Sequence, residues 1–242
     1  MSRALFALAL VVTAFAVIVI RAPAAWLGDA LAAHTQLRLI DAGGTIWAGS
    51  ALLGITNGRE TTLVPGRIEW RLTGLRAGRV WARVSHDWLS APLEVGIGLQ
   101  NVALSEGGAR MPAAALTAAG APFNTLRPGG LLELRWTKVE LAARALTGEL
   151  QVDWRDAQSV LSPIVPLGTY RLSVAGRGGP ASLDLQTLSG PLQLRGSGTI
   201  NGSHIKFSGV ATAERDMQPA LNGLLGLLGM RSGDKVLLAV DT

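Results

Sequence analysis

Hydrophobic positions in this chain follow two patterns, and the change between them falls near residue 35. From Ala4 to Ile20 the chain is continuously apolar, broken only by Thr13 and bracketed by Arg3 and Arg21. As a helix at about 1.5 Å per residue, the run reaches roughly 25 Å, near the shorter limit for crossing a bilayer. The two arginines can snorkel to the interfaces, and Trp26 falls where an interfacial anchor is expected. A cleaved signal peptide shares the basic start and the apolar stretch, and Ala22-Pro23-Ala24 offers small residues of the cleavage type. The length of the run, its helix-prone continuation through Ala33 and the position of Pro23 favour an uncleaved anchor. The expected layout is a cytoplasmic tail at residues 1–3, a single transmembrane helix at 4–22 and a periplasmic β domain at 23–242. Arg3 and the amino terminus place the tail inside and the body across the inner membrane of a bacterial cell.

Beyond residue 35 apolar and polar residues alternate. Ile68, Trp70 and Leu72 interleave with Arg67, Glu69 and Arg71; Leu93, Val95, Ile97 and Leu99 share one face. The period of two recurs at Leu132, Leu134 and Trp136, at Leu150, Val152 and Trp154, and at Tyr170, Leu172 and Val174. It continues through Leu183 and Leu185, Leu192 and Leu194, and Ile205 and Phe207. Strands buried on one face and wetted on the other read this way, and they belong to antiparallel rather than parallel sheet.

Turn signals divide the strands. Asn57-Gly58 and Asn201-Gly202 suit the two central positions of a type I′ hairpin. Gly43-Gly44, Gly107-Gly108, Pro128-Gly129-Gly130, Gly178-Gly179-Pro180 and Gly196-Ser197-Gly198 predict further turns, at a spacing of roughly ten residues that fits a meander. Gly96 and Gly98 fall inside a strand and predict a bulge or bend. Helix is expected at 24–33, at 111–119 with Pro112 in its first position, and at 218–228, where Leu221, Leu224, Leu225 and Leu228 form a stripe. A last strand runs from Lys235 to Val240. The fold class is mostly β: one transmembrane helix, then a long, curved antiparallel sheet, open or partly closed, with a few short helices.

Composition narrows the chemistry. The chain has 48% hydrophobic and 16% charged residues and no cysteine among 242, which excludes thiol catalysis, iron–sulfur clusters, cysteine-ligated zinc and a disulfide framework. His34, His86 and His204 are scattered, and no metal-binding, phosphate-loop or nucleophile-elbow motif occurs. His86-Asp87-Trp88 is the one local cluster of catalytic residue types and reads as a polar turn. Gly176-Arg177-Gly178-Gly179-Pro180-Ala181 matches a loose dinucleotide fingerprint but precedes no helix, so it lacks a phosphate site and reads as a hairpin loop. No catalytic, cofactor-binding or metal-ligating residue is expected, no cofactor is implied, and the chain reads as no enzyme. Its net charge of +5 is carried mainly by arginines dispersed over outward strand positions. A nucleic-acid surface would cluster them with aromatics on the same face, so no nucleic-acid partner is expected.

The order of features carries a resemblance. After the apolar segment come Gly43-Gly44-Thr45-Ile46-Trp47-Ala48-Gly49-Ser50-Ala51, the strand Arg67–Leu72 and Gly78-Arg79-Val80-Trp81-Ala82-Arg83-Val84. Gly148–Trp154, Pro166–Leu172, Leu221–Gly229 and Asp234–Leu238 follow. Taken in this order, the motifs resemble the type II secretion system protein N family. The pattern departs from that family at Thr73 to Gly78, where a proline after the strand tryptophan is missing and local register is open. The resemblance implies an accessory inner-membrane component of the general secretion pathway that supports export of folded proteins. Its implied partners are other inner-membrane and periplasmic parts of that machinery, with membrane lipid around the N-terminal helix. An alternative is a periplasmic lipid-handling groove of AsmA-like type, because about a dozen strands share one apolar face and few helices are available to cover it.

Overall fold

A computed structural model describes residues 18–56, 61–120, 123–142, 145–202 and 204–241. Asn57-Gly58 and most of the apolar run, residues 4–17, lie outside these. Among the described residues no helix is long and apolar enough to cross a membrane.

Among the described residues sixteen strands form one sheet, and every pairing between them is antiparallel. Helix α1 (Ala24–His34) leads into β1 (Leu37–Gly44), β2 (Ala48–Thr56), β3 (Thr61–Arg76), β4 (Arg79–Ser85), β5 (Leu93–Ile97) and β6 (Asn101–Leu104), a simple meander. Next come β7 (Gly107–Pro112), a 3₁₀ turn (Ala113–Ala119), the short α2 (Phe123–Leu126), β8 (Gly129–Trp136) and β9 (Val139–Ala142). The meander resumes with β10 (Ala145–Gln158), β11 (Gly168–Gly179), β12 (Ala181–Ser189), β13 (Leu192–Asn201) and β14 (His204–Ala213). A 3₁₀ turn and α3 (Gln218–Leu228) precede the edge pair β15 (Met230–Ser232) and β16 (Lys235–Asp241), with β16 on β14. The sheet is open: β1 and β15 end the strand order.

The middle of the sheet is less irregular than its strand count suggests. β6 pairs with β9 and β7 with β8, while β8 and β9 share one edge of β10. The apolar positions switch parity between Leu104 and Gly107 and again between Trp136 and Val139. Leu104 pairs with Val139 and Gly107 with Trp136, so the two breaks lie opposite each other and the apolar face stays continuous across them.

Several glycines predicted as turns lie within strands. Gly107-Gly108 belong to β7, Gly129-Gly130 to β8 and Gly196-Ser197-Gly198 to the middle of β13. Gly49, Gly96 and Gly107 are paired across the ladder with Trp70, Trp81 and Trp136. A Cβ built on them would lie 2.6, 2.8 and 2.8 Å from the facing indole Cζ2, so each glycine leaves room for a ring lying over its strand. Gly96 is therefore a ring seat; the expected bulge falls elsewhere, between Leu72 and Gly74, where the family pattern loses its proline. Gly107→Val should push Trp136 aside and break the bond from its Nε1–H to Ser105 O at 2.9 Å. The expected cost is about 1–3 kcal/mol in urea unfolding, and Trp136→Leu in the same chain should recover much of it as a coupling energy.

Three other expectations shift. Met111 and Pro112 close β7, with Pro112 extended at ψ 135°, so the predicted helix begins only at Ala113 and is 3₁₀. β5 stops at Ile97, which leaves Leu99 in the turn. Asn201 pairs with His204 and so belongs to the ladder, which leaves Gly202, at φ +61°, to open the turn. Helix 24–33, helix 218–228 and the final strand appear within one residue of their expected ends.

Candidate functional site: two faces of one sheet

The apolar face is covered at its two ends by different elements. Toward the C-terminus, Leu221, Leu224 and Leu225 of α3 pack with Tyr170, Leu192, Ala211 and Val236, and Leu161, Ile164 and Leu167 close the cluster from the loop after β10. Tyr170 Oη lies 3.1 Å from Leu167 O and 3.0 Å from Leu192 O, and burial pushes its pKa upward, so the phenol stays a neutral donor. At the other end, Ala24 and Leu27 of α1 pack on Ala51, Trp70, Ile68 and Leu72. Between the two clusters Leu134, Trp136, Leu150, Val152, Leu172 and Leu183 are only half-buried.

The opposite face carries a charge ladder. Arg110, Glu133, Asp153 and Arg171 occupy directly paired positions on β7, β8, β10 and β11. Glu133 and Asp153 face each other as like charges, which arginines on either side offset. Glu133 receives Arg110 at 2.7 Å, Arg155 at 2.8 Å and Arg135 at 3.6 Å. Asp153 receives Arg171 through Nε at 2.7 Å and Nη2 at 2.8 Å, a two-pronged contact that holds its carboxyl below the usual range against the opposing effect of burial. Further along, Glu94 receives Arg83 and Arg76, and Arg79 bonds Glu140. The arginines sit on outward strand positions as the alternation predicts, and they neutralise carboxylates contributed by neighbouring strands.

The two motifs with catalytic or nucleotide-binding overtones resolve into backbone architecture. His86 Nδ1 accepts the Trp88 N–H at 3.1 Å, their rings meet edge-on at 5.0 Å, and residues 88–90 hydrogen-bond to the outer edge of β7. A cleft of about 650 Å³ lies between this segment and the ladder, lined by Asp87, Trp88, Ser90, Arg110, Glu133 and Arg135. Gly176–Ala181 forms the end of β11 and its turn into β12, with strand rather than helix following. His34, His86 and His204 lie on α1, after β4 and on β14, and the described residues contain no group of three or more side chains placed to hold a metal ion.

The sequence model for type II secretion system (T2SS), protein N matches residues 35–237. The chain belongs to the type II secretion system protein N family. The match begins where the alternating pattern begins and ends within β16, so the shared part is the sheet with its helix α3. Comparison with curated proteins and with solved structures returned no match. Family membership makes the chain a component of type II secretion, whose partners are other parts of that system.

Proposed function

We propose that the protein is an accessory, non-catalytic component held in the inner membrane by residues 4–22, with its sheet in the periplasm, where it supports export of folded proteins through contacts with other parts of the secretion machine. The observation that carries this reading is the family match over residues 35–237. The edge of β16 beyond β15 supports it: β15 covers Lys235 to Leu237, and on that side Leu238 to Asp241 have no strand partner among the described residues. An edge with unpaired backbone groups and no proline can accept a partner strand. Deleting the chain should strand exported proteins in the periplasm, and a photocrosslinker at Ala239 should capture another component of the system. Undiminished secretion with no crosslink would sink the proposal.

A second reading, a groove that holds acyl chains, is favoured by the half-buried apolar stretch between the α1 and α3 clusters. Native mass spectrometry of the extracted full chain should then show a retained lipid mass, and a bare protein would remove it.

A further inference from the structure

The apolar face runs out at one edge of the sheet in a row of exposed side chains. Leu75 pairs with Val80, Val80 with Ile97, Ile97 with Val102, and Val102 with Leu141, on strands β3, β4, β5, β6 and β9. Each is between 37% and 73% exposed, and Leu99, at the tip of the β5–β6 hairpin, is fully exposed. Each residue alone is an ordinary surface aliphatic; five in register across five strands make a continuous apolar lip.

Two further observations say what this lip meets. The first is where the apolar N-terminal segment joins the body. Trp47 Nε1–H donates to Val19 O at 2.8 Å, Ile46 N–H to Ala22 O at 3.0 Å, and Pro23 bridges to Thr45. Leu72 N–H in turn donates to Trp47 O at 2.7 Å. The join is thus fastened to β3 three residues before Leu75, at the same edge of the sheet as the lip. The second is charge. The hairpin tips at 73–80, 96–102 and 175–182 contain no carboxylate; exposed Arg177 lies on one of them, and Arg76, 63% exposed at its side chain, touches Glu94 only at 3.4 Å, whereas Arg79 is held by Glu140. Turns at the opposite edge are of mixed charge, with Asp87, Asp156, Glu214, Asp216 and Asp234 beside Arg127, Arg215, Arg231 and Lys235, so it is the lack of carboxylates that sets the lip's tips apart.

We propose that the edge formed by the β3–β4 and β5–β6 hairpins and the end of β9 rests on the anionic lipid surface of the membrane that anchors the chain. The aliphatic lip enters the headgroup region, and Arg76 and Arg177 meet lipid phosphates. The proposal rests on the reading of residues 4–22 as an anchor and adds a second, lateral contact that fixes the tilt of the sheet on the bilayer.

The chain lacks cysteine, so single nitroxide labels can be placed on Leu75→Cys, Leu99→Cys, Val160→Cys and Val12→Cys. Full-length labelled protein is reconstituted in vesicles of phosphatidylethanolamine and phosphatidylglycerol, and collision rates with oxygen and with an aqueous nickel chelate are measured. Labels at 75 and 99 should gain oxygen collisions and lose nickel collisions relative to position 160, at the far edge. Nickel access at 75 and 99 equal to that at 160, with the label at 12 sheltered, overturns the lip contact and leaves the anchor standing. Aqueous behaviour at 12, 75 and 99 overturns both. Loss of both collision partners at 75 and 99 marks protein cover, a second copy or another component, and also overturns it. Lipid-like behaviour at 75 and 99 with an aqueous label at 12 supports the lip and removes the anchor.

Discussion

Leu221→Ala should lower the stability of the sheet by about 2–5 kcal/mol, the range for truncating a fully enclosed leucine. Leu221 is 0% exposed and is the largest side chain so enclosed among the described residues. The cost should come with a change of behaviour, because α3 has little intrinsic reason to be helical. It is 11 residues long, has no side-chain cap at its N-terminus, and contains Gly223 and Gly226. Helices this short are marginal in water, and each interior glycine costs about 1 kcal/mol relative to alanine. Docking of Leu221, Leu224 and Leu225 onto Ala211, Tyr170 and Val236 therefore holds the helix as much as the helix covers the sheet. Loosening it should bare apolar surface, seen as increased binding of a hydrophobic dye below the unfolding transition. Leu227→Ala, on the exposed side of the same helix, should fall within about 0.5 kcal/mol of the parent. Equal urea midpoints for the two variants would show that α3 does not cover the core.

What could be read from the sequence followed from how local the cause is. Alternation reports the burial of a strand on its own terms, so β3, β8, β10 and β11 were legible, as was α3 with its leucine stripe. The glycines read as turns lie in strands because the deciding object is on another strand: Gly107 faces Trp136, twenty-nine positions later, and a Cβ built on Gly196 would lie 2.4 Å from Cζ of the Phe207 ring. Only register reveals that. The parity switches at 104–107 and 136–139 are visible in the sequence as a change of phase, but that they face each other is not. The search for chemistry rested on the same limit. His86-Asp87-Trp88 is local, and its reading as a polar turn matches its place beside β7. The Arg110–Glu133 and Asp153–Arg171 pairs join residues 23 and 18 positions apart, and the aliphatic lip exists only once five strands are aligned. Family membership was carried by motif order along the chain, which needs no register.

The two faces also divide the work of stability. The apolar face contributes through burial, yet its central stretch is half-open, so it holds less than its length suggests. The ladder face supplies ionic contacts around carboxylates that are themselves buried: Asp153 is 3% and Glu133 10% exposed at the side chain, while their arginines reach outward. Screening by water and salt weakens the exposed ends of such pairs, but a buried carboxylate stripped of its arginine is costly. Stability of the middle of the sheet is thus tied to the ionisation of Asp153, whose carboxyl is held below its ordinary range.

Asp153→Asn tests that tie. At neutral pH it should destabilise the protein by about 1–3 kcal/mol, because a charge-assisted, two-pronged contact to Arg171 becomes at best a single neutral one; the partial exposure of Arg171 keeps the figure below that of a sealed pair. The sign of the pH effect follows from the Arg171 hydrogen bonds, which hold the Asp153 carboxyl below its ordinary value of 3.8 in the folded chain. As acid is added, the unfolded chain takes up its proton first, so stability falls with falling pH through that window. The contribution is complete above about pH 4–5 and is lost as the pH drops through the folded value. With asparagine at 153 the proton uptake vanishes, so the gap between parent and variant should be widest near pH 7 and close below pH 4. Urea midpoints measured from pH 7 down to pH 3 decide it. A gap that stays constant over that range would mean that Asp153 contributes through packing and hydrogen-bond shape, with its charge balanced by the desolvation it suffers between β8 and β11.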